Sequence, residues 1–276
     1  MSMRNLSGIL CENHIIKSGE LKRSVRMDLY LPAGLPGSSG ASLMLINDGQ
    51  LLEEMDFGSI LERSYAQRIH NTLICAAIHA GEERKMEYGI AAAADYMGRG
   101  ARAGAYTAFI FKELLPYVHQ RCQLPFFREK SFVGFSLGGL SALDIVWTHP
   151  HEFNRVGVFS GSLWWRSRGQ DEADYDDDKH RIMHQRIRHG NYHPGLKFFL
   201  QCGNKDETND RNRNGIIDSI DDTRDLVKEL KSKGYAIPGD IHYLEIPDGG
   251  HDVGTWGRAM PEFLSWGWRE RGILDV

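Results

Sequence analysis

The chain has 276 residues, 41% of them hydrophobic and 25% charged, with a formal net charge of −4. That is enough apolar material for one large core, and single α/β domains of this size are common. A pI near 6.3 without a basic cluster argues against a nucleic-acid partner, and no apolar run approaches the length of a membrane span. Strand-like runs fall near residues 8–16, 24–31, 42–47, 72–79, 131–135, 155–160, 196–202 and 241–246. Helical spacing covers 101–120, 137–148 and 221–233, and a last helix is expected from about Gly254, with Pro261 kinking or restarting it before Trp266. An antiparallel opening followed by β–α alternation calls for a mostly parallel sheet covered by helices, in one domain spanning 1–276. Met1–Leu6 shows no apolar stretch leading to a cleavage site, so the chain as given is expected to be cytoplasmic or already to lack its signal. Cys11, Cys75, Cys122 and Cys202 are scattered and read as free, partly buried thiols. Nothing in the pattern sets an oligomeric state.

The most informative segment is Gly134-Phe135-Ser136-Leu137-Gly138, which ends the fifth strand-like run and opens the 137–148 helix. A G-x-S-x-G sequence between a strand and a helix is a nucleophile elbow. It holds a serine Oγ away from the backbone on a sharp turn, with glycines where a Cβ would clash. Such a serine needs a base and a group that orients the base, in the chain order serine, acid, histidine. His251 follows the last strand-like run in Pro247-Asp248-Gly249-Gly250-His251-Asp252 and is the candidate base. His70, His79, His119, His149 and His242 read as packed or surface residues. His180, His184, His189 and His193 lie in a polar stretch without metal-ligand spacing. The strand ending at Cys202 leads into Asp206, the candidate acid, with Glu207 as the alternate. Asp252 reads as a cap for the last helix. Two amides must face the oxyanion. Leu137 supplies one and Gln50, after the turn Asn47-Asp48-Gly49, the other, with Asp48 holding that turn through its own backbone.

Taken together, these segments resemble the putative-esterase family of α/β-hydrolases. That family includes esterase D, the enterobactin esterases, some feruloyl and acetylxylan esterases and the mycolyl transferases. The resemblance extends to Met27-Asp28-Leu29-Tyr30-Leu31-Pro32, Glu113-Leu114-Leu115-Pro116, His149-Pro150-His151-Glu152-Phe153, Ser160-Gly161-Ser162-Leu163-Trp164-Trp165 and Thr255-Trp256. It implies the α/β-hydrolase fold and serine-dependent hydrolysis of a small-molecule ester, assigns Ser136 and His251, and puts the acid at Asp206. An acyltransferase would use the same residues, and a non-catalytic binding protein of this fold is the third reading. No organic cofactor is implied.

In such a fold, residues 163–195, an insertion after the sixth strand, form a small cap over the active-site edge. Trp164 and Trp165 either wall the substrate pocket or are a simple packing pair, and the acidic run 171–178 is expected to be a solvated face. Arg166 and Arg168 either meet an anionic substrate or balance that run. Within residues 206–222 lies a second motif. Asp210, Asn212, Asn214, Asp218 and Asp221 stand at positions 1, 3, 5, 9 and 12 of an EF-hand-type loop, with Gly215 at position 6 and the Ile216 carbonyl at position 7. A structural calcium ion bracing the loop that presents Asp206 is the expectation. The alternative is an Asn/Asp-rich turn capping the next helix.

Overall fold

The computed structural model describes residues 3–6, 8–32, 40–67, 69 and 72–268, with backbone alone for 3–6. His70 lies outside the described residues. All eight expected strands are present, preceded by β1 (Met3–Leu6). They are β2 (Ile9–Ser18), β3 (Arg23–Pro32), β4 (Ser42–Asn47), β5 (Leu73–Ile78), β6 (Lys130–Phe135), β7 (Arg155–Phe159), β8 (Lys197–Lys205) and β9 (Ile241–Gly250). They form one sheet in the order β1-β2-β3-β5-β4-β6-β7-β8-β9. β1, β2 and β3 pair antiparallel, as does β3 with β5. Every pairing from β5 through β4 to β9 is parallel.

Every residue of β4, β5 and β7 is buried, the pattern of parallel strands covered on both faces. One face carries α1 (Phe57–Ala66) and, at the far end of the chain, a helix over Val253–Trp268, through Phe57, Ile60, Trp256, Met260 and Phe263. The other carries α2 (Arg84–Glu87), α3 (Ala103–Phe109), α4 (Leu115–Cys122), α5 (Leu137–Thr148), α6 (Asp177–His180), α7 (Ile182–His189) and α8 (Asp218–Ser232). Its core includes Phe109, Leu140, Leu143, Ile187 and Leu226. The Val253–Trp268 helix, α9, runs unbroken through Pro261. A π-turn at Ile110–Leu114 joins α3 to α4, so the expected 101–120 helix is continuous but locally underwound.

β4 lies between β5 and β6, so successive connections leave it in opposite directions. Such a switch point, at the strands' C-terminal ends, is where open α/β sheets take their ligands. The elements that follow β4 and β6, namely Asn47–Leu51 and Ser136, therefore meet at one place. β8 and β9 stay paired as far as Lys205 and Gly250, beyond a bulge at Gly203–Lys205. His251 thus follows directly on a paired strand rather than on a long flexible loop.

Candidate active site

Ser136 caps α5 with φ 55° and ψ −122°, a backbone state that L-residues rarely occupy. Its surroundings explain the glycines. A Cβ on Gly134 would stand 2.1 Å from the Gly138 carbonyl oxygen, and one on Gly138 would stand 2.5 Å from Asp48 Oδ2. The Ser136 amide donates to the Phe159 carbonyl at 2.8 Å, and its carbonyl accepts from the Ser162 amide at 3.1 Å. Its Oγ lies 3.4 Å from Ser162 Oγ. Leu137 opens α5, so its amide is one of those a helix leaves without an internal partner.

Asp206 and His251 stand directly after β8 and β9 and influence each other's ionisation. Asp206 Oδ1 accepts from Ser160 Oγ at 3.1 Å. Oδ2 is buried with no hydrogen-bond partner. Burial raises the Asp206 carboxyl, against the opposing pull of Ser160, the Gly203 amide and His251. At His251, partial burial lowers the imidazole pKa, Asp206 raises it and Arg84 lowers it further, leaving the ring below its ordinary value. Glu207 instead accepts from Asn209 at 3.0 Å and responds to Asp218 and Asp222. Of the two candidate acids, Asp206 is the one brought to the histidine. Among the described residues no hydrogen bond joins Ser136 to His251 or His251 to Asp206. Such contacts often tighten only with substrate present.

Trp256 ties these parts together. Its ring stacks on Phe135 at 5.1 Å, meets His251 edge-on at 5.4 Å, and donates from Nε1 to Ser160 Oγ at 2.9 Å. Asp252 caps α9 as expected, accepting the Thr255 amide at 2.8 Å. Asp48 departs from expectation. It sits in the left-handed region, but its carboxylate makes a bidentate pair with Arg84 at 2.7 Å on both oxygens instead of closing its own turn. Gln50 is in the following 3-10 turn, held by the Ala80 amide donating to its Oε1 at 3.0 Å. Arg84, Ser160, Ser162 and Trp256 were not singled out for roles from sequence. The serines at the end of β7 and the Thr255-Trp256 pair after His251 were the available signals.

The two tryptophans keep ring contact at 5.9 Å but differ in burial. Trp165 is wholly buried, with Nε1 donating to the Ala93 carbonyl and its ring against Gly89 and Gly100, so it cannot wall a pocket. Trp164 is half-buried beneath Arg99, whose guanidinium lies 4.7 Å from its ring. The 163–195 segment is docked at both ends. Tyr96 donates its amide to the Arg166 carbonyl, and buried Arg181 pairs with Asp222 and Asp225 of α8. His184 is buried against the Asp222 carbonyl, and burial pushes its pKa down to about 3. The acidic run is largely exposed, with Asp177 drawn to Arg211.

In the 210–221 loop, Asp210 accepts the Asn214 and Gly215 amides, and Gly215 makes the sharp turn at φ +84°. The side chains of Asn212, Asn214 and Asp221 meet, both amides donating to Asp221 Oδ2 at 3.0 and 2.8 Å. Asp218 does not join them. Its Oδ1 accepts the Arg211 amide at 2.8 Å and faces the Arg211 guanidinium, which removes it from the expected ligand set. Among the described residues no group of three or more His, Cys, Asp or Glu is placed to hold a metal ion. Cys11, Cys75 and Cys202 are buried and Cys122 is partly buried. No helix among the described residues is long and apolar enough to cross a membrane.

The family described as Putative esterase matches residues 18–266. The chain belongs to that family. Solved structures share its fold. The enterobactin esterase of Shigella flexneri, determined in the presence of enterobactin, superposes with a TM-score of 0.71 at 21% identity, covering 92% of this chain and 57% of that one. A ferulic acid esterase gives 0.70 at 17% identity over 95% and 98%. The BES protein of Bacillus cereus gives 0.69 at 16% over 96% and 97%. The chain thus spans little more than half the length of the enterobactin esterases. No curated protein matches it by sequence.

Proposed function

We propose that this esterase-family protein is a serine-dependent carboxylic ester hydrolase. One observation carries the reading: Ser136 stands at φ 55° on the β6–α5 turn, while Asp206 and His251, at the C-terminal ends of the paired strands β8 and β9, act on each other electrostatically. In this mechanism His251, neutral near pH 7, takes the Ser136 proton as Oγ attacks the ester carbonyl. The amides of Leu137 and Gln50 face the developing oxyanion. Asp206 Oδ2, otherwise unpartnered, receives the imidazole N–H and holds the tautomer. The tetrahedral intermediate collapses with cleavage of the ester C–O bond, and His251 gives its proton to the departing alcohol. His251 then takes a proton from water as it attacks the acyl-enzyme, and returns it to Ser136 Oγ as the acid leaves. The fold relatives are named for enterobactin and ferulic acid, so siderophore and hydroxycinnamoyl esters head the substrates to screen. A fluorophosphonate probe should add once, on Ser136, and p-nitrophenyl acetate should be turned over. An unlabelled serine in folded protein would refute the proposal.

We propose further that the 210–221 loop is a structural calcium site using Asp210, Asn212, Asn214, Asp221 and the Ile216 carbonyl. The convergence of positions 3, 5 and 12 supports it. With Asp218 engaged elsewhere, two carboxylates would bind calcium only weakly.

A further inference from the structure

Arg166 is unlike the arginines around it. Arg84 is paired with Asp48, Arg99 with Asp95, Arg168 with Asp174, Arg181 with Asp222, and Arg211 with Asp177 and Asp222. Arg166 has no carboxylate partner among the described residues, and its buried Nε has no acceptor. It is held by rings alone: Trp164 at 6.0 Å, Tyr96 at 5.7 Å and Tyr175 at 5.6 Å from the guanidinium carbon. Aromatic faces attract the cation but accept none of its in-plane N–H groups. The guanidinium is therefore flanked by rings, with its buried Nε unpaired and no carboxylate of the described residues on it, a state in which it can take a carboxylate with little loss of side-chain freedom.

It also faces a cavity. Tyr96, Arg166, Gln170, Asn209 and Arg211 line a space of about 330 Å³, within the range of small-ligand sites. The walls are Tyr96, from the segment between α2 and α3, and the loops leaving β7 and β8, which also supply Ser162, 3.4 Å from the Ser136 Oγ, and Asp206. Two carboxylates border the cavity without cancelling Arg166. Asp210 is turned to its own loop amides, and Asp171 is exposed, where solvent and salt screen it.

We propose that Arg166 binds an acidic group on the substrate, so that the preferred ester carries a carboxylate or comparable anion remote from the scissile bond. This rests on the esterase reading for the reaction but not for the binding. The test compares p-nitrophenyl monoesters of dicarboxylic acids, from succinate to suberate, with their methyl-capped counterparts. Wild type should favour at least one free acid in kcat/KM by about tenfold or more. Arg166→Gln should abolish that preference and leave p-nitrophenyl acetate turnover within about twofold, and Arg166→Lys should recover only part of it. Tryptophan fluorescence during titration with adipate, which has no ester bond, reads binding without turnover, because Trp164 adjoins the guanidinium. The signal should saturate in wild type and vanish in Arg166→Gln. No preference for any free acid in wild type, or an undiminished preference or titration in Arg166→Gln, overturns the proposal. Absent p-nitrophenyl acetate turnover with an intact titration would instead remove the esterase reading and leave the anion site standing.

Discussion

At the scale of single residues, the division of labour between two neighbouring carboxylates is the sharpest claim. Asp206 presents an unpartnered buried oxygen and shares its field with His251, whereas Glu207 is held by Asn209. Asp206→Asn should therefore lower kcat by about a hundredfold to ten-thousandfold, and Glu207→Gln by less than about threefold, in steady-state assays with p-nitrophenyl acetate. Ser136→Ala should lose a factor of about a thousand or more together with fluorophosphonate labelling. The base must be neutral to act, and burial and Arg84 hold the His251 pKa down. The acid limb of kcat/KM should then fall below the ordinary histidine value of about 6.5. Arg84→Gln removes a cation that disfavours imidazolium, so it should move that limb to higher pH. A limb that stays in place or moves lower would show that Arg84 does not act on the base.

At the scale of elements, the strands and the elbow were readable because they depend on local rules. Continuous apolar runs mark doubly covered strands, and glycines flanking Ser136 mark a turn that tolerates no Cβ. The Asp48–Arg84 pair and the Ser160–Trp256 contact join residues 36 and 96 apart, and no periodicity encodes partners at that separation. The same blindness explains Trp165, whose aromatic character was plain while its burial was a matter of tertiary packing. It also explains Asp218, which fits a ligand position by spacing yet pairs with Arg211. If the remaining loop binds calcium, adding millimolar calcium should raise the melting temperature and EGTA should reverse the rise, since a ligand bound only by the native state stabilises it. Identical melting curves would remove the ion from the account. The α7–α8 junction offers a complementary test. Arg181→Met removes one of the two guanidiniums on buried Asp222, which keeps Arg211, and leaves Asp225 with Lys228 alone, so it should cost up to about 3 kcal/mol in urea unfolding.

For the whole molecule, the buried imidazole of His184 sets an acid limit. Its native pKa, pushed down to about 3 by burial, lies below that of a histidine in the unfolded chain, about 6.5. Between those values the unfolded state takes up a proton that the native state refuses, so stability rises with pH across this window and falls as acid is added. The urea midpoint should drop between about pH 7 and pH 5, and His184→Gln should flatten that slope even if it lowers stability at neutral pH. An equal slope in the variant would transfer the acid sensitivity to other groups.

The left-handed backbone of Ser136 ties the enzyme's working life to its chemistry. Glycine adopts φ 55°, ψ −122° without the cost of about 1–3 kcal/mol that a side chain incurs there, while giving back up to about 1 kcal/mol through a freer unfolded chain. Ser136→Gly should therefore fold at least as stably as the wild type, although it lacks the nucleophile. The proposed nucleophile is then also a position where glycine would make the more durable protein.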